Sequence, residues 1–197
     1  MISTIENVDI SIKNGKFFRE KIKNTSSGDH FVIQLRDIVH SERGFYLDFS
    51  NVVKRNLPEQ DEREYLKTGD VLVTIKGVTK HAFLVNKVPT KTVPSQHFIR
   101  LRSPDFQKII PEYIEYLVNL PYSQRWFSRK SKGGYKGTIN SKILGALPFP
   151  VISTEEQKKI VALSQEVQKE KNLLLDLIEN RELQLQAYTS KILKLGK

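Results

Sequence analysis

Leu147-Pro148-Phe149-Pro150-Val151-Ile152-Ser153-Thr154-Glu155-Glu156-Gln157-Lys158-Lys159-Ile160 separates two kinds of structure in this chain. Ser153 and Glu156 have the S-x-x-E spacing of a capping box, in which the serine oxygen accepts from the N3 amide and the glutamate reaches back to the N-cap amide. From that point to Leu195 there is neither proline nor glycine. The spacing predicts one helix of about 43 residues, roughly 60 Å at 1.5 Å per residue, too long to fold back as an ordinary core helix.

With Ile160 at heptad position a, Leu163, Val167, Glu170, Leu174, Leu177, Arg181, Gln184 and Tyr188 fall on one seam. The apolar stripe then drifts toward Leu185, Ile192 and Leu195, as a stutter would produce. A parallel pair would set Glu170 against Glu170 and Arg181 against Arg181. An antiparallel pair with Leu174 opposite Leu177 sets Glu170 opposite Arg181 and Leu163 opposite Tyr188. The sequence therefore predicts antiparallel self-association; the alternative is that this face packs on the chain's own globular part.

Upstream, short segments rich in Val, Ile and Phe predict strands at residues 8–12, 31–35, 45–49, 71–75, 82–88 and 96–101, with a last strand near 144–150. Turn chemistry separates them at Asn14-Gly15, Gly28-Asp29, Arg43-Gly44 and Thr68-Gly69-Asp70. The charged stretch 58–64 reads as a loop or helical turn. Pro111 and Pro121 suit the first positions of two short helices. The fold class is α+β: a mixed, β-rich globular domain over residues 1–152, then a long C-terminal coiled-coil helix over 153–197. No internal repeat is present.

The chain has 197 residues, no cysteine and a net charge of +10. Without cysteine, neither a disulfide framework nor a thiolate metal site can form. The start Met1-Ile2-Ser3-Thr4-Ile5-Glu6 lacks the features of a signal peptide, and no apolar run is long enough to span a bilayer; a cytoplasmic protein without a membrane partner is expected. From Glu155 onward eight Lys/Arg face seven Asp/Glu, so residues 1–154 hold +9 of the +10. Between Tyr122 and Lys142 there are six basic residues and no acidic one, interleaved with Trp126, Phe127 and Tyr135. Such a patch suits phosphate binding; a solvated basic face with its aromatics in the core is the alternative.

Reaction centres are missing from the pattern. Asn119-Leu120-Pro121-Tyr122 lacks the first proline of an adenine methyltransferase turn, and no glycine-rich cofactor loop follows an early strand. Pro104-Asp105 with Glu156-Gln157-Lys158 imitates a nuclease PD/E-x-K pair, but Glu156 is better explained by the capping box. Gly133 to Thr138 does not satisfy G-x-x-x-x-G-K-[ST]. His30, His40, His81 and His97 lack metal-ligand spacing. A non-catalytic binding module is expected, with no metal and no cofactor of its own.

The order of phrases resembles one half of a DNA specificity subunit of type I restriction-modification systems. The resemblance rests on Gln34-Leu35-Arg36-Asp37-Ile38, Leu66-Lys67-Thr68-Gly69-Asp70-Val71-Leu72, Ile110-Pro111-Glu112-Tyr113-Ile114, the glycine loop Gly133-Gly134-Tyr135-Lys136-Gly137-Thr138, Leu147-Pro148-Phe149-Pro150, and Glu156-Gln157-Lys158-Lys159-Ile160. Family members usually carry two recognition domains and two long helices; this chain has one of each. The resemblance implies a target recognition domain that reads one half of a bipartite site in double-stranded DNA. It also implies a homodimer recreating the full-length subunit, and docking to methyltransferase and restriction subunits, which would supply S-adenosylmethionine, ATP and magnesium. On this reading Arg125, Arg129, Lys130, Lys132 and Lys136 position phosphates, with the amides of Gly133 and Gly134. Tyr135 and Thr138 reach sugar or base edges, and Lys76, Lys80 and His81 lie on a DNA-facing loop. Gln96, Arg100 and Arg102 suit base-edge chemistry but equally suit exposed sheet positions. Leu163, Val167, Glu170, Leu174, Leu177, Arg181 and Tyr188 carry dimerisation. A stand-alone dimeric DNA-binding regulator, and a fragment that pairs with a full-length subunit, are the competing expectations.

Overall fold

The computed structural model describes residues 2–25, 27–58, 61–131 and 137–193. Its centre is a four-stranded antiparallel sheet in the order β2 (Ser11–Asn14), β10 (Phe98–Arg102), β7 (Val71–Thr74), β8 (Ala82–Leu84). β7 is buried throughout, which explains its unbroken apolar run. Alternate side chains enter different cores: Val71 and Val73 join Ile99, Leu101, Ile114 and Val118 on one face, while Leu72 joins Phe98, Ile33 and Val85 on the other.

The second core is closed by a mixed sheet in which β3 (His30–Ile33) pairs antiparallel with β6 (Val53–Arg55) and parallel with β9 (Thr92–Pro94). A hairpin of β4 (Ile38–Ser41) and β5 (Gly44–Leu47) projects from this side. The first core is covered by α1 (Pro111–Asn119) and α2 (Pro121–Lys130), each with its proline in the first turn as expected. α1 also covers the β8 edge. The amides of Leu84 and Ala82 donate to Glu115 and Asn119, both at 2.9 Å, so that edge strand is closed by side chains spaced i, i+4. The Asn119 that imitated a methyltransferase turn is thus an edge cap.

The phrases behind the family resemblance have structural explanations here. Asp37 caps a 3₁₀ turn by accepting from the Gln34 amide at 2.7 Å. Gly69 has φ +87, and a Cβ there would lie 2.5 Å from the Phe106 ring. Asp70, almost fully buried, holds Arg102 through two hydrogen bonds of 2.6 and 2.8 Å. Among the described residues β11 (Pro148–Pro150) pairs only with β1 (Ile2–Thr4), where missing proline amides are tolerated.

The long helix α4 spans Thr154–Leu193, 40 residues. Its capping box forms: the Ser153 amide donates to Glu156 at 3.0 Å and the Glu156 amide donates to Ser153 Oγ at 3.3 Å. Loss of such a cap costs about 1 kcal/mol. Buried Gln157 anchors the first turn, accepting from the Ile110 amide at 3.0 Å and donating to the Lys108 and Ile152 carbonyls at 2.7 and 3.1 Å.

Several sequence expectations shift. The first strand expected at 8–12 lies at 11–14, after a turn in which Asp9 adopts φ 57. The strand expected at 82–88 stops at Leu84, and that expected at 96–101 starts at Phe98. The 144–150 segment is half helix: Asn140 caps α3 (Ser141–Gly145) by accepting from the Ile143 amide at 2.8 Å, and only Pro148–Pro150 is extended.

Candidate nucleic-acid interface

One end of the central sheet gathers segments that are distant in sequence. The Gly15 amide donates to the Phe98 carbonyl at 2.8 Å, the Ile75 amide to His97 at 3.0 Å, and the Thr74 amide to His81 at 2.9 Å. The Ile139 amide then donates to the Ile75 carbonyl at 3.0 Å, bringing exposed Thr138 beside the β7–β8 loop. Gln124 joins α2 to the same loop, accepting from the Lys80 amide at 2.9 Å and donating to the Lys80 carbonyl at 3.1 Å. The 76–81 loop singled out from sequence is therefore a neighbour of α2, through Gln124, and of Thr138.

Lys76 and Thr138 are exposed at this end, and Arg125, Arg129 and Lys130 are exposed on α2, which Gln124 ties to it. Gly77 turns the β7–β8 loop with φ 113, a left-handed conformation that favours glycine, and Val78 is exposed beside it. Lys132, Gly133, Gly134, Tyr135 and Lys136 lie outside the described residues. Burial first, and then the Lys76 charge, hold His97 below the usual imidazole range, so Lys76 and His97 share one electrostatic environment.

Other expectations are corrected. Lys80 is only 2% exposed, and its ammonium donates to the Gly77 carbonyl; burial lowers its pKa. It braces the loop from inside and does not face solvent. His81 is half-buried, stacked 3.9 Å from Phe45 between ring centroids, and Phe45 in turn meets His40 at 4.5 Å. Burial and then His40 push the His81 pKa down, and the ring contact with Phe45 holds the β4–β5 hairpin against the loop. Arg100, 4% exposed, donates to the Arg63 carbonyl at 2.6 Å, and Arg102 is committed to Asp70. Gln96 accepts from the Phe18 amide at 3.3 Å. None of these three side chains is a free sheet position. Among the described residues no group of three or more His, Cys, Asp or Glu side chains can hold a metal, and no helix is long and apolar enough to cross a membrane.

On α4 the chain's own contacts and the predicted seam use different sides. Gln157 and Val161 are buried against the domain, the Gln168 side-chain amide donates to the Arg43 carbonyl at 3.1 Å, and Asp176 pairs with Arg43. At about 100° per residue these four share one side, and Leu163, Val167, Glu170, Leu174, Leu177, Arg181 and Tyr188 lie nearly opposite. All seven are exposed, Leu163 at 68% and Tyr188 at 65%. The alternative in which the seam packs on the chain's own domain is not what the structure shows.

Residues 3–182 match the family model described as the type I restriction modification DNA specificity domain. The chain belongs to this family. The specificity domain is also similar to the EcoBI type I restriction enzyme specificity subunit of Escherichia coli, with 26% identity over 135 residues, 65% of this chain and 28% of that protein. Its fold resembles a chain from a structure of the assembly and conformational transition of a type I R-M system, with a TM-score of 0.69 at 18% identity over 98% of this chain and 44% of the other. It also resembles the HsdS subunit from Thermoanaerobacter tengcongensis, with a TM-score of 0.67 at 16% identity over 98% and 44%. For the S subunit from M. genitalium the TM-score is 0.57 at 16% identity, over 100% and 46%. The chain thus spans under half the length of each of these relatives.

Within the specificity domain, sequence reasoning missed Gln124, and it quoted Gln157 in a family phrase without assigning its anchoring contacts. Both are side-chain amides that bond to main chain of other segments, partners that sequence spacing does not specify.

Proposed function

We propose that this chain reads one half of a bipartite DNA site, with residues 1–152 as the recognition unit and 153–197 as a spacer and dimerisation helix. The observation that carries the reading is the family match over residues 3–182. The basic sheet end supplies a surface suited to DNA. Arg125, Arg129, Lys130 and Lys76 bind phosphates; Lys132, Gly133, Gly134, Tyr135 and Lys136, which follow α2 in the sequence, contribute further DNA contacts.

Two copies joined along the exposed α4 seams as an antiparallel coiled coil place one recognition unit at each end, with a true two-fold axis between them. The like charges of a parallel pair become Glu170–Arg181 contacts. The dimer docks methyltransferase subunits, which bring S-adenosylmethionine and take the target base out of the stack, and through them restriction subunits that use ATP and magnesium. The chain itself supplies sequence reading and spacing.

Mixing the purified chain with a methyltransferase subunit, S-adenosylmethionine and genomic DNA from a methylation-deficient host tests this reading. Methyl transfer is expected only in the mixture that contains both proteins. Methyl transfer at the same sites without this chain would contradict it.

A further inference from the structure

Phe17 is the most exposed large aromatic side chain among the described residues, at 71%. The backbone on both sides of it is fixed. A Cβ on Gly15 would lie 2.0 Å from the Ser95 carbonyl oxygen, so the chain runs against the β9–β10 connection too closely for any side chain there. The Lys16 amide donates to the Pro94 carbonyl at 2.8 Å, Lys16 bridges Ser95 in parallel, and the Phe18 amide donates to Gln96. The Phe18 ring lies under the Arg55 guanidinium, 5.9 Å from its centroid. A large apolar ring is thus held in water by a clamped segment.

Its position gives the ring a use. Gly15 and Phe98 are hydrogen-bonded at the sheet end where His97 meets Ile75, so the segment carrying Phe17 leaves β2 at the end of the sheet that also carries the β7–β8 loop, with β10 between the two strands. The surrounding sequence is basic: Lys16, Arg19, Lys21 and Lys23 stand against Glu20 alone. A cleft beside it is lined by Lys21, Lys23, Thr25, Arg55 and Asn56, with Glu20. An apolar tip among cations fits a ligand with phosphates flanking an apolar face. A duplex groove has that character, with base faces and thymine methyl groups between two phosphate rows.

We propose that Phe17 is a base-contacting residue of this interface, making an apolar contact with a base step of the half-site while the neighbouring cations hold the flanking phosphates. The proposal rests on the DNA-reading function above. It extends the interface across the sheet end from the β7–β8 loop and α2 to the segment after β2.

The test is selection of bound duplexes from a randomised pool by the full chain, wild type and Phe17→Ala, followed by affinity measurements on the recovered and on a scrambled duplex over a range of salt. Circular dichroism melting checks that the variant is folded. The expected result is a motif relaxed at one or two positions and about tenfold weaker binding to the recovered duplex, with unchanged binding to the scrambled duplex and an unchanged salt slope. Phe17→Trp should retain the motif. An identical motif and affinity in Phe17→Ala would overturn the proposal. So would an equal loss on both duplexes with a shallower slope, which makes the segment a phosphate clamp, or unchanged DNA binding with weakened methyltransferase capture, which makes Phe17 a protein contact. If the wild type itself selects no motif, the DNA-reading function fails, and the proposal with it.

Discussion

Arg181→Glu is expected to convert the dimer to monomer at concentrations where the wild type remains paired. In an antiparallel two-fold pair each Glu170 meets the other copy's Arg181, so one substitution replaces both attractions by repulsions. Charge pairs on helix surfaces contribute a few tenths of a kcal/mol each and like pairs cost similar amounts. With partial desolvation at a seam the combined change is about 2 kcal/mol, roughly 30-fold in dimer affinity. Adding Glu170→Arg restores both contacts with their signs exchanged and should return the dimer. Light scattering across a dilution series reads the difference, and a single variant as dimeric as the wild type would rule out this register. The structure favours a free seam because the chain's own contacts, through Gln157, Val161, Gln168 and Asp176, occupy the other side of α4.

Replacing Arg125, Arg129 and Lys130 together by alanine should flatten the salt dependence of DNA binding. All three are exposed, so the fold should be retained. If each neutralises one phosphate, the slope of log affinity against log salt falls by about 2.7. Between 50 and 200 mM salt the wild type should then lose roughly 40-fold more affinity than the variant. The preferred sequence should not change, because phosphate contacts position without reading. Titration by fluorescence anisotropy at several salt concentrations measures this, and an unchanged slope would move the phosphate-binding surface away from α2.

What was legible in the sequence was chiefly what local chemistry determines. The Ser153–Glu156 box, the prolines opening α1 and α2, and the apolar run of β7 each have a short-range cause, and each appears where expected. Strands of three or four residues, such as β1, β6 and β9, are too short to show a period. Charge patterning placed the basic surface on the globular part but did not say which cations are outside. Lys80 points inward because Gly77 offers a carbonyl to it across a tight turn. Arg100 and Arg102 share their strand parity with Phe98, which faces the second core, and so they meet the carbonyls of Arg63 and Tyr65 at the margin of that core. Phe17 is the opposite case: the pair Phe17-Phe18 carries no local mark of exposure, and it is the clamped backbone that leaves the first ring in solvent.

Methylome sequencing of a host carrying the matching methyltransferase, with and without this chain, tests the central claim most directly. A two-fold dimer with one recognition unit at each end must read the same half-site twice. The account therefore predicts a methylated motif that appears only with the chain and consists of one half-site and its inverted copy around a spacer of unspecified sequence. A motif with two different halves would contradict self-pairing, and a methylation pattern indifferent to the chain would contradict its role in choosing the site.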